Sequence, residues 1–278
     1  MKAYTYTLTP LTPIHVGDGD ALEPYEYVIK DGHLYKFDMG TLYQKVSDQN
    51  KQIIKDSMLK KFMQLDINNL YNEKYGYTAK IPVSSQVQGL YAKSLESNHQ
   101  QLAIQSFVHS MDSEYIPSTT LKGVVKSAIK EKELMKTVEI TDTLGDLSLI
   151  AGQANQYTKL RKRIKKDTTM NLICALGKLQ SEYVSSVSGI LILDNPDKVT
   201  LKDIINANWQ KSLITIYAER DFYEEADAKS AVHIYNHLEQ YLTNLDKSRF
   251  MPIQICTKHH VLFEDKYPMG WGVMEFIE

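Results

Sequence analysis

The chain has 278 residues, 43% of them hydrophobic and 24% charged, with 32 Lys and Arg against 34 Asp and Glu and a net charge of −2. That composition supports a buried core and leaves no global basic field, which counts against a free, non-specific DNA binder. No apolar run approaches membrane-spanning length, so no membrane partner is expected. Two cysteines, Cys174 and Cys256, point to a reducing compartment, the cytoplasm, and Met1 to Thr5 carry no signal-peptide core.

Lys2 to Thr9 alternates, with Tyr4, Tyr6 and Leu8 on one face and Thr5, Thr7 and Thr9 on the other, which predicts a strand. Leu11 to Asp20 continues it into a loop holding Gly17 and Gly19. Tyr25 to Ile29 and Leu34 to Phe37 read as a hairpin turned by Asp31-Gly32. From Met39 to about Leu70 the period becomes helical through Leu42, Tyr43, Val46, Ile53, Ile54, Met58, Leu59, Phe62 and Leu65. The polar run Asp48-Gln49-Asn50 divides this stretch into two expected helices. Tyr71 to Ser85 reads as loop, Gln86 to Glu96 as a weak helix, and Ile104 to Met111 as helix or strand. Residues 39 to about 110 thus form an expected, mostly helical insertion.

Tyr115-Ile116-Pro117 ends a strand, because Pro117 removes a donor and disfavours helix at Ile116. Ser118, Thr119 or Thr120 is the expected N-cap of a helix running from Leu121 to Lys132. Its apolar residues are Leu121, Val124, Val125, Ala128 and Ile129, and Lys122, Lys126 and Lys130 share the opposite face. A hydroxyl-rich helix start beside Lys122 suits an anion such as phosphate, and equally an ordinary capped helix. Gly123 within it implies close packing. Val138 to Thr141 reads as a strand and Asp142 to Gly152 as turn-rich. Lys159, Arg161, Lys162, Arg163, Lys165 and Lys166 form the one dense basic cluster, on a short helix or a strand edge. It suits either a solvated surface or phosphate contact.

Asn171 to Leu176 and Val187 to Leu193 are β-like, and Asp194-Asn195-Pro196-Asp197 closes the second as a turn. Thr200 to Leu245 reads as two helical pieces, the second with a core face of Ala228, Ala231, Val232, Tyr235, Leu238 and Leu242. Phe250 to Thr257, His259 to Phe263 and the tail after Gly270 are expected strands. The mixture points to an α+β fold.

No phosphate-loop, GxGxxG, GxSxG or HExxH pattern occurs. Cys256, His259 and His260 have metal-like spacing without the further ligands zinc requires, so no metal or cofactor is expected. His15 beside Asp18 and Asp20 suits acid–base chemistry on RNA or an ordinary half-buried histidine.

Three stretches together resemble one family. They are Leu11 to Gly19 with Leu22 to Ile29, Tyr115 to Gly123, and Pro268-Met269-Gly270-Trp271-Gly272. They are similar to motifs of the RAMP superfamily of CRISPR RNA-binding proteins, with Ser118 standing where the family usually has Gly. The first stretch is most similar to members that cap the 3′-end side of the guide RNA in type III-A Csm effector complexes. The resemblance implies ferredoxin-like, RRM-like βαββαβ units, two of them, divided softly at 170/171. It implies crRNA and a neighbouring RAMP backbone subunit as partners, with help from host nucleases in guide maturation. The implied RNA contacts are His15, Gly17, Gly19, Ser118, Thr119, Thr120, Lys122, Gly270, Trp271 and Gly272. Lys126 and the 159–166 cluster are added as phosphate contacts on charge, and Trp271 or a tyrosine as a base stack.

Two other readings compete with that of a non-catalytic RNA-binding subunit. One is an endoribonuclease of the same superfamily using His15, Asp18 or Asp20. The other is a protein–protein scaffold whose 159–166 cluster meets acidic partners.

Overall fold

The computed structural model describes residues 1–58, 63–96, 101–110, 113–129, 137–160, 163–255 and 259–277. Its first strand, β1 (Lys2–Pro10), alternates as its sequence does: Tyr6 and Leu8 are fully buried, while Thr5 faces out. After it come β2 (Ala21–Leu22), β3 (Tyr27–Lys30), β4 (His33–Lys36), α1 (Met39–Lys45), α2 (Asp48–Met58), α3 (Met63–Leu70), β5 (Ala79–Pro82), α4 (Ser85–Glu96) and β6 (Ile104–Gln105). The middle of the chain gives α5 (Ser118–Ser127), β7 (Val138–Ile140), β8 (Leu149–Leu160), β9 (Arg163–Ala175) and β10 (Val187–Leu193). Two long helices, α6 (Leu201–Glu225) and α7 (Lys229–Thr243), precede β11 (Phe250–Gln254), β12 (Val261–Phe263), β13 (Tyr267–Pro268) and β14 (Trp271–Ile277).

The main sheet has five strands in the order β11-β14-β1-β10-β7, every neighbour antiparallel. β1 lies at its centre, pairing Tyr6 with Gly189 on one side and Phe276 on the other. Gly189 makes room for the Tyr6 ring, since a Cβ there would stand 2.3 Å from the tyrosine hydroxyl oxygen. Helices cover the face carrying Tyr6 and Leu8. α6 starts on a capping box between Thr200 and Asp203, then buries Ile205, Trp209, Ile216 and Tyr223 at helical spacing. Trp209 Nε1 donates to the carbonyl of Phe250 at 2.7 Å, tying α6 to β11. α7 buries Ala231, Tyr235, Leu238 and Leu242, most of the expected core face.

A second sheet of six strands, β13-β12-β8-β9-β6-β2, is built on the long β8–β9 hairpin. The β12–β13 turn places Glu264 and Asp265 at positive φ, 53° and 55°. Glu264 Oε1 accepts from the Gln153 amide, and Asp265 accepts from Asn155, Tyr157 and Lys166. The acidic turn therefore clamps the base and flank of the hairpin.

The third sheet, β3-β4-β5, packs on α1 to α3 around Val28, Phe37, Leu42, Ile54, Ile67 and Tyr71. Asp31 and Gly32 both have positive φ, 47° and 74°, between the paired Lys30 and His33. This is the two-residue turn their sequence predicts.

The chain is α+β, as expected, with several local differences. The division expected at Asp48-Gln49-Asn50 falls just before it, because Val46 leaves the helix and Asp48 opens α2. β5 lies inside the expected 71–85 loop, where Ile81 pairs with Leu34. The 104–111 stretch contributes a strand, β6. Of the two forms expected for the basic cluster, its described members Lys159, Arg163, Lys165 and Lys166 take the strand form, on β8 and β9. The expected division at 170/171 falls within β9, and the main sheet takes β1 from one side of it and β10, β11 and β14 from the other. Leu59, Phe62, Met111, Lys130 to Lys132, Arg161, Lys162 and Cys256 lie outside the described residues.

Where β1 leaves its sheet, Gly177 lies against the backbone of Thr12, and a Cβ there would come within 2.3 Å of Thr12 Cα. Backbone cannot yield as a side chain can. Gly177→Ala is expected to lower the unfolding free energy by about 1–3 kcal/mol, read as a shift in the urea midpoint at unchanged slope.

Candidate functional site

Pro117 determines where α5 begins. The amides of Thr120 and Leu121 both turn back to its carbonyl, at 3.0 and 3.2 Å. From that start α5 presents Thr119, Thr120, Gly123, Val124 and Ser127 as one stripe, at i, i+1, i+4, i+5 and i+8. Facing this stripe are His15, Val16 and Gly17 from the loop after β1, Lys211 from α6, and Gln254 and Ile255 at the exit of β11. Together they line a cleft of about 610 Å³. A Cβ on Gly123 would meet nothing within 4 Å, so this glycine widens the cleft rather than admitting a close neighbour, which corrects the packing expected of it.

The cleft's chemistry is mixed. His15 Nδ1 lies 2.7 Å from the carbonyl oxygen of Ile173, and its ring meets Phe107 edge to face at 6.2 Å. Burial pushes the His15 pKa down, against the raising influence of the Ile173 carbonyl and Asp18. Lys211 is exposed along its stem, but its ammonium turns in to the Ser127 hydroxyl. Desolvation lowers its pKa, and no carboxylate pairs with it among the described residues. An anion entering here would favour the charged form that desolvation penalises.

The structure brings His15, Gly17, Thr119 and Thr120 together and sorts the other expected residues elsewhere. Ser118 is the first helical residue rather than the cap, which is Pro117, and its amide donates to Asp142 Oδ1 at 2.6 Å. A carboxylate of the chain thus already sits on the helix start. Lys122 lies about a third of a turn away from the cleft stripe, ion-paired with Glu139 on β7. Lys126 lies between the two faces, its pKa lowered by desolvation and by Lys122.

In the basic cluster Lys159 pairs with Glu225 and Lys166 with Asp265, while Arg163 and Lys165 are exposed. Gly19 has φ 96°, and Asp18 Oδ1 accepts from the Asp20 amide and the Ser106 hydroxyl. Burial raises the Asp18 pKa, but those donors and His109 outweigh it and hold the carboxyl below the usual range. Asp18 is therefore occupied in closing its own loop.

Trp271 is fully buried, which corrects the base stack expected of it. Its role is structural: its carbonyl accepts from the amides of Leu11 and Thr12, and its own amide donates to Thr12 Oγ1 at 3.0 Å. Gly270, at φ 93°, donates to the Pro13 carbonyl and accepts from the Ile255 amide. Gly272 packs under Leu8, 3.1 Å from where a Cβ would be. This glycine-rich loop supports the cleft from behind. His259 and His260 both reach the buried Glu219 carboxylate at 3.1 Å, and among the described residues no trio of ligands is placed to hold a metal.

Sequence reasoning missed Lys211, Ser127 and Gln254. Nothing in the α6 sequence separates Lys211 from an ordinary solvent-facing lysine. Only the packing of α6 beside α5 gives it a role. Trp271→Leu is expected to lower the unfolding free energy by on the order of 2–3 kcal/mol while leaving RNA affinity of the folded protein unchanged in filter binding. Loss of a base stack would instead weaken binding by about 1–3 kcal/mol.

Three comparisons bear on identity. The RAMP superfamily model matches residues 7–232, from within β1 to the start of α7, and so takes in every cleft residue except Gln254 and Ile255. A curated relative, the CRISPR system protein Csm5 of Methanocaldococcus jannaschii, is 23% identical over 167 residues, covering 56% of this chain. The chain spans only 38% of that relative's length. The crystal structure of T. onnurineus Csm5 matches with a TM-score of 0.66 at 11% identity, over 96% of this chain and 99% of its own. A chain of the Csm–crRNA–target RNA ternary complex of a type III-A CRISPR-Cas system matches at 0.67 and 11%, over 98% and 100%. At that identity the likeness is one of fold. With the family model spanning most of the chain and its central helix, the protein belongs to the RAMP superfamily.

Proposed function

We propose that the chain is a non-catalytic RNA-binding subunit of a type III-A Csm effector ribonucleoprotein, capping the 3′-end side of the crRNA and serving guide maturation and antiviral defence. The observation that carries this is its end-to-end likeness to a chain from a Csm–crRNA–target RNA complex, over 98% of its own length. The path β1-α5-β7-β10-α6-β14, with sheet order β14-β1-β10-β7, supports reading the main sheet as a ferredoxin-like, RRM-like unit to which β11 adds an edge. The partners are the crRNA and a neighbouring RAMP backbone subunit, with host nucleases acting on the guide, in the cytoplasm.

In this reading the cleft holds RNA backbone. Lys211, held by the Ser127 hydroxyl, and the hydroxyls of Thr119 and Thr120 receive a phosphate, and Gly17 and Gly123 let the strand approach. Arg163 and Lys165 add phosphate contacts on the β8–β9 hairpin. The involvement of Asp18 with Asp20 and Ser106 favours binding over cleavage.

Lys211→Ala is expected to weaken binding of single-stranded RNA of any sequence and to reduce the salt slope by about 0.7. Lys122→Ala, which opens an exposed pair with Glu139, should change affinity far less. Tagged protein purified from its native host should bring short guide RNAs and other CRISPR subunits with it. Protein recovered alone and free of RNA at low salt would sink the proposal.

A further inference from the structure

We infer that His15 makes the cleft selective for ribose, its Nε2 accepting a hydrogen bond from the 2′-hydroxyl of a bound nucleotide. This rests on the reading of the cleft as an RNA site and names what that site recognises.

The argument begins with the other ring nitrogen. His15 Nδ1 is 2.7 Å from the Ile173 carbonyl oxygen. A carbonyl oxygen has lone pairs only, so Nδ1 must carry the proton in that contact. A neutral ring then leaves Nε2 as a bare acceptor, and burial favours the neutral ring. Nε2 stands beside Gly17, where an added Cβ would come to 2.9 Å, so glycine keeps the approach to this nitrogen open. The Ile173 contact and the Phe107 edge fix the ring in place before any ligand arrives.

An acceptor is out of place in a purely phosphate-binding cleft, because phosphate oxygens at neutral pH also offer lone pairs only. Elsewhere in the cleft stand the donors a phosphate needs: the Lys211 ammonium on α6 and the hydroxyls of Thr119 and Thr120 on α5. A ligand that satisfies both the imidazole and these donors must carry an anion and a hydroxyl donor close together. Ribose phosphate does, and deoxyribose phosphate lacks the donor. A volume of about 610 Å³ accommodates a nucleotide rather than an isolated phosphate. Bound DNA would leave Nε2 without a partner, the kind of loss by which polar sites reject analogues lacking a hydroxyl.

The test uses the full chain and single-stranded oligonucleotides of one sequence, as RNA, as DNA, and as RNA with one 2′-hydroxyl at a time replaced by hydrogen or O-methyl. The wild-type protein should prefer RNA to DNA by about tenfold, and one position in the scan should account for most of it, with hydrogen and O-methyl both harmful. His15→Phe should bring RNA down to the DNA level and leave DNA affinity unchanged, and His15→Gln, which restores an acceptor oxygen, should recover part of the preference. Equal loss for RNA and DNA in His15→Phe, or a preference that survives it, would overturn the inference. So would RNA cut at the sensitive position, since His15 would then be acting as a base. Should His15→Phe not fold, the scan on wild-type protein decides: a flat profile overturns the inference. Lys211→Ala separates this from the parent reading. If it leaves RNA binding intact, the cleft is not the RNA site and both fall. If it weakens RNA and DNA alike while the scan is flat, only the ribose inference falls.

Discussion

The contact on which the rest of the structure depends is the clasp between the end of β1 and the start of β14. The carbonyl of Trp271 takes the amides of Leu11 and Thr12, Thr12 Oγ1 takes the Trp271 amide, and the Pro13 carbonyl takes the Gly270 amide. Gly270 in turn accepts from Ile255. Four bonds among buried groups thus join segments about 260 residues apart in sequence, and each is costly to leave unmade away from water. The clasp fixes where the chain leaves the sheet toward His15 and where β11 ends at Gln254 and Ile255. Two walls of the cleft are therefore placed by one small set of backbone bonds. The third wall, α5, takes its start from Pro117, and the Ile116 amide before it is held by the Thr143 hydroxyl at 2.8 Å.

What was legible in the sequence is what local physics decides. The alternation of β1, the Asp31-Gly32 turn and the break at Pro117 follow from steric preference and pattern, and each appears where its residues put it. What was illegible depended on partners distant in sequence. Ser118 looked like a cap with free amides, but Asp142 comes from 24 residues away to occupy one of them. The 159–166 run looked like an unopposed basic patch, yet Glu225 and Asp265 neutralise two of its lysines across the tertiary structure. Trp271 between two glycines looked like an exposed stacking ring, but the indole is buried, Gly270 supplies a positive-φ turn and Gly272 packs against Leu8. Lys211 carried no signal, since a helix shows a surface lysine and a cleft lysine by the same letter.

These displacements change how the protein would hold a nucleic acid. A chain with net charge −2, in which Lys122, Lys159 and Lys166 are ion-paired, cannot rely on long-range attraction. The cleft instead offers one unpaired cation among the described residues, a row of hydroxyls and a fixed imidazole, all oriented before the ligand arrives. Such a site gains selectivity from geometry more than affinity from charge. It suits a subunit that grips a short piece of strand while its neighbours hold the remainder, because the affinity of linked sites multiplies even when each is modest. On those terms the surface ion pairs that neutralise Lys122, Lys159 and Lys166 fit the proposed function. In the proposed reading they would limit non-specific attachment to any polyanion and leave recognition to the few groups that can read a sugar and a phosphate together.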